Sequence, residues 1–66
     1  MTRREELLKN AREATAAYAA AKERHAYARQ MVRLGMTADV VGAHAMEART
    51  YSEWLRATEA FKNYRG

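Results

Sequence analysis

One tetrapeptide, Leu34-Gly35-Met36-Thr37, interrupts an otherwise continuous helical pattern, and the chain contains no proline. A single stop in 66 residues leaves two options, one long rod or a rod that doubles back once. The chemistry of the stop favours doubling back. Gly35 follows Leu34 as a left-handed C-terminal residue, and Thr37 offers a hydroxyl to cap a second helix with Asp39 in its first turn. At the chain start, Thr2 and Glu5 have the spacing of a capping box. Glu5 and Glu6 occupy the positive end of the helix dipole, and Arg29 and Arg33 lie near the negative end. The reading is all-α: a helix over 3–34, a turn at 35–37 and a helix over 38–64, in one domain spanning 1–66. So short a connection makes the helices antiparallel neighbours.

The spacing of small and apolar residues says which faces meet. Leu7, Ala11, Ala14, Tyr18, Ala21, His25, Ala28, Val32 and Gly35 alternate by four and three residues, a seam with a period of about 3.5. On the second helix the matching line is Val41, His44, Ala48, Tyr51, Leu55 and Thr58, broadened by Trp54 and Phe61. Folding back at Gly35 sets residues whose numbers sum to about 72 opposite one another. Ala28 then faces His44, His25 faces Ala48, Ala21 faces Tyr51, Ala14 faces Thr58, and Ala11 faces Phe61. The alanines of the first helix are expected to act as sockets for bulky partners.

Two helices cannot cover Leu8, Met31, Val40, Trp54, Phe61 and Tyr64 at once. A chain this short also supplies a small core, and there is no cysteine to staple it. The expected remedy is a twofold homodimer, two hairpins forming a four-helix bundle. No apolar run approaches the roughly 20 residues that span a bilayer, and the opening MTRREELLKN lacks a secretory signal's apolar stretch. A cytoplasmic chain without a membrane partner is expected.

Few residues suggest chemistry. Ser52 is the only serine and Asp39 the only aspartate, no serine–histidine–aspartate spacing can be drawn, and there is no glycine-rich phosphate loop. An enzyme is not expected. His25 and His44 fall about one layer apart, with Glu47 three residues after His44. A dimer would turn four imidazoles and two carboxylates toward one bundle interior, the way metals are held between helices. The simpler reading bonds each imidazole to a tyrosine hydroxyl, Tyr51 or Tyr18, with no metal and no cofactor.

The net charge of +4 lies wholly in residues 1–34. Lys9, Arg12, Lys22, Arg24, Arg29 and Arg33 form a basic face on the first helix that could track phosphates without reading sequence. The stretch RQMVRLGMTADVVGAHAME, residues 29–47, resembles the turn of helix-turn-helix DNA readers in its Leu-Gly-apolar-Thr sequence. That resemblance implies a recognition helix after the turn, although no Arg, Lys, Asn or Gln follows Gln30 and Arg33 before Arg49. In length and two-helix plan the chain is also similar to the Rop family of plasmid hairpin dimers that bind RNA stem-loops. The likeness is architectural and carries no residue over.

Apolar residues crowd the hairpin tip, including the adaptable Met31 and Met36 beside Leu34 and Val40. With Trp54 and Phe61 they are the candidate protein-binding residues. The leading expectation is a small non-enzymatic homodimer, a regulator or inhibitor in the style of phage- or plasmid-encoded chains, that binds another protein. The alternative is nucleic-acid binding, through the basic face or the turn at 29–47.

Overall fold

A computed structural model describes residues 2–65. Helix α1 spans Arg3–Arg33 and helix α2 spans Val40–Lys62, and the two pack against each other as an antiparallel hairpin. No strand occurs among the described residues. The Cα trace extends 53 × 16 × 12 Å, the proportions of two rods side by side.

Each helix end is closed by a partner for its orphan backbone groups. The Glu5 N–H donates to Thr2 Oγ1 at 3.2 Å at the start of α1. At its other end Gly35 adopts φ +81°, which lets Gly35 N–H reach the Val32 carbonyl at 3.0 Å and Met36 N–H reach the Met31 carbonyl at 2.9 Å. That pair of bonds is a Schellman motif, and it ends α1 one residue before the expected Leu34. The cap of α2 differs from expectation. Asp39 takes the role assigned to Thr37: the Gly42 N–H donates to Asp39 Oδ1 at 2.8 Å, so the helix starts at Val40 rather than residue 38. It ends at Lys62, with Asn63 as C-cap, rather than at residue 64.

Along α1 the heptad seam is the buried line. Leu7, Ala11, Ala21 and Ala28 are buried, and Ala14, Tyr18 and His25 between them are half-buried. Val32, in the last turn of α1, and Gly35, beyond its end, are exposed, and Met31 is the half-buried residue of that turn.

The seam of α2 is rotated by one residue from the expected line. Ala43 and Thr50 are buried and Glu47, Trp54, Ala57 and Phe61 are half-buried, whereas His44, Ala48 and Tyr51 are exposed and Val41 is 81% exposed. The sum of about 72 still holds, but with different partners: His25 meets Glu47, and Tyr18 stacks on Trp54 at 5.6 Å between ring centroids. Ala28 and Ala43 flank one groove, and Ala21 and Thr50 flank the next. In these two layers small residues line the same grooves, and the expected pairs Ala28–His44, His25–Ala48 and Ala21–Tyr51 do not form because His44, Ala48 and Tyr51 are exposed.

The physical reason lies in the polar members of the line. The Thr50 hydroxyl donates back to the Met46 and Glu47 carbonyls at 2.9 and 3.0 Å, so its burial strands no polar group. Glu47 has a partner in His25. Thr50 and Glu47 therefore enter the seam beside Ala43, Trp54, Ala57 and Phe61 without leaving a polar group unpaired. Val41, His44, Ala48 and Tyr51 are left on the outside, while Leu55 and Thr58 farther along the expected line are half-buried.

Candidate functional site

Three groups with metal-ligand chemistry meet on one flank of the hairpin, two turns from the tip. His25 sits on the α1 seam and Glu47 opposite it on α2, where the His25 Nδ1–H donates to Glu47 Oε2 at 3.4 Å. Both are largely withdrawn from solvent, their side chains 12% and 28% exposed. His44, one turn earlier on α2, lies on the outer side of the seam and is exposed, with its ring centroid 5.3 Å from that of His25. One ligand atom from each of the three residues falls within 4.8 Å of the others. The tyrosine hydroxyl expected as the histidine partner is replaced by a carboxylate, the only hydrogen bond to either imidazole among the described residues.

Aromatic rings continue this flank toward the chain termini. Tyr18 and Tyr51 lie 5.4 Å apart, Tyr51 and Trp54 5.9 Å apart, and the Lys22 ammonium stands over the Tyr18 ring at 4.6 Å. A depression lined by Tyr18, His44, Glu47, Ala48 and Tyr51 joins the rings to the histidine cluster.

The six expected protein-binding residues divide in two. Leu34 and Met36 stand free at the tip, 66% and 54% exposed. Met31, Val40, Trp54 and Phe61 are half-buried in the hairpin's own packing, Trp54 against Tyr18 and Phe61 beneath the Arg4 guanidinium at 5.4 Å. Tyr27, Val41 and Tyr51 are further exposed large apolar residues. Val41 and Tyr51 were placed in the core line, and their exposure follows from the one-residue rotation of α2.

The six basic residues are all exposed. Taking the α1 seam as heptad positions a and d, Lys22 and Arg29 fall at e, Arg12 and Arg33 at b and Lys9 at f, which adjoin around the helix. Arg24 lies across the seam, its guanidinium 3.9 Å from Met46 Sδ, and Lys9 pairs with Glu13 at 3.9 Å. The segment 29–47 does not have the geometry its resemblance implied. Its two helices belong to long antiparallel rods of 31 and 23 residues, whereas a helix-turn-helix crosses short helices steeply.

No helix among the described residues is long and apolar enough to cross a membrane. No protein-family model, curated protein or solved structure matches the chain. The reading of what it does rests on its own surfaces.

Proposed function

We propose that the chain is a non-catalytic interaction protein that works as a homodimer, two hairpins associating into a four-helix bundle through the outer line of α2. The observation that carries this reading is the mismatch between core and surface. No large side chain among the described residues is fully buried, while Val41, Tyr51, Val32 and Leu34 are among the exposed large apolar groups. Large apolar side chains in water add nothing to stability, and a lone pair of helices has too little interior to offset its ordering entropy. A second copy seated on Val41, Ala48, Tyr51 and Leu55 supplies the missing interior and follows the usual twofold rule.

In this arrangement the tip residues Leu34 and Met36 remain available to a protein partner, and the chain acts as a regulator by occluding or bridging that partner. Light scattering at micromolar concentration tests the first step. The expected mass is that of two chains, and the double variant Val41→Glu/Tyr51→Glu returns the mass of one chain with reduced helicity. A wild-type chain that is fully helical at the mass of one chain would overturn the reading. Leu34→Glu, by contrast, is expected to leave the dimer intact.

A second reading has its own support in the shared arc of Lys9, Arg12, Lys22, Arg29 and Arg33, which would engage a phosphate backbone. Its test is salt. Affinity for a random RNA or DNA duplex should fall steeply between 50 and 200 mM salt, by about 10³ for several phosphate contacts, and a flat response excludes it.

A further inference from the structure

We infer that His25, His44 and Glu47 form a binding site for a divalent transition metal of the zinc class within a single hairpin. The inference does not depend on the proposed dimer, because all three ligands belong to one chain. Two imidazoles and one carboxylate are a donor set that zinc accepts readily, with bonds of about 2.0–2.2 Å. Tetrahedral geometry at that bond length sets neighbouring donors about 3.3 Å apart. His25 Nδ1 and Glu47 Oε2 already stand 3.4 Å apart. The full set spans at most 4.8 Å, so closure requires a shift of roughly one rotamer adjustment at His44, the exposed and freely turning member.

Three features distinguish this cluster from an ordinary interhelical pair. First, the 3.4 Å separation is longer than a well-formed N–H···O bond, so the His25–Glu47 contact is a weak use of two groups drawn largely out of water. Second, His44 makes no hydrogen bond among the described residues, yet its ring tilts over that of His25 at 5.3 Å. Third, in the single hairpin the depression beside Glu47 and His44 opens to solvent, which leaves room for water on the coordination positions the protein does not fill; a second copy on Ala48 and Tyr51 would form the far wall of the same depression. A cation at the centre would satisfy the carboxylate and both imidazoles together. It would also tie α1 to α2 between the Ala21/Thr50 and Ala28/Ala43 layers.

The test uses the full chain stripped with a chelator, titrated with zinc sulfate and followed by calorimetry and by thermal melting of the helix signal. One zinc per chain and an upward shift of the melting midpoint are expected. Cobalt(II) in place of zinc should give the visible absorption of a four-coordinate site. His44→Ala removes a ligand that sits on the flank proposed to meet a second copy, so each protein is read against its own metal-free melt and mass: zinc affinity should fall at least tenfold and the zinc-induced thermal shift should disappear. Glu47→Gln, which keeps the side-chain volume, should also lose affinity. Wild-type affinity in His44→Ala would show that the cluster is only a histidine–glutamate pair and overturn the assignment. So would an absent thermal shift in the wild type at saturating zinc, or one zinc held between two chains. Because the readouts are stoichiometry and affinity per chain, failure of the metal site is distinguishable from failure of the dimer, which is read by mass in metal-free buffer.

Discussion

Gly35 carries the chain reversal on a backbone angle, φ +81°, that side-chain-bearing residues adopt only with strain. Nothing lies within 4 Å of where a Cβ would stand, so a substitution there meets no steric obstacle and its cost is conformational. Gly35→Ala is expected to lower stability by about 1–2 kcal/mol, measured by urea denaturation, with the helix content of the folded form unchanged. The same scale explains why the start of α2 was misplaced by two residues. Thr37 and Asp39 are both competent caps, and hydroxyl preference does not choose between them. With glycine at position 42 the Asp39 carboxylate lies close over the first turn, in space that a Cβ would share. The signal was present as Asp-x-x-Gly but reads only once the cap geometry is considered.

On the scale of the helix, α1 was legible and α2 only in part. Repetition decides the matter in α1, where small residues recur at four and three with no competing line. In α2 two parallel lines one residue apart share the same period and hold four apolar residues each, so periodicity does not choose between them. Thr50 and Glu47 face α1, the first with its hydroxyl bonded within its own helix and the second paired across the seam with His25. The histidine cluster shows the consequence. Its three members were identified by spacing, but the rotation moves His44 out to the flank and brings Glu47 inward against His25, so the ligands converge within one chain rather than in a dimer interior. The close layers also predict a size limit. Ala21 is only 4% exposed and shares its level with Thr50, so Ala21→Leu forces the rods apart and should cost about 1–3 kcal/mol in chemical denaturation. The same change at the exposed Ala19 should stay within about 0.5 kcal/mol. Equal losses at the two sites would mean that the alanine seam is not a packing surface.

For the molecule as a whole, an interior made mainly of alanine leaves the hairpin short of apolar burial, and association is the means proposed for making it up. That coupling makes stability a function of concentration. The melting midpoint is expected to climb across a hundredfold increase in protein, measured by circular dichroism in metal-free buffer, and a midpoint that stays fixed would mean the two rods stand without a second copy. The aromatic trio on the flank has a practical consequence for any such experiment. Trp54 is the only tryptophan, and it lies face to face with Tyr18 from the other helix and beside Tyr51 on the line proposed to be covered. Its ultraviolet emission is thus a native gauge of both events, closing of the hairpin and wetting or drying of its outer face, with no dye or label attached.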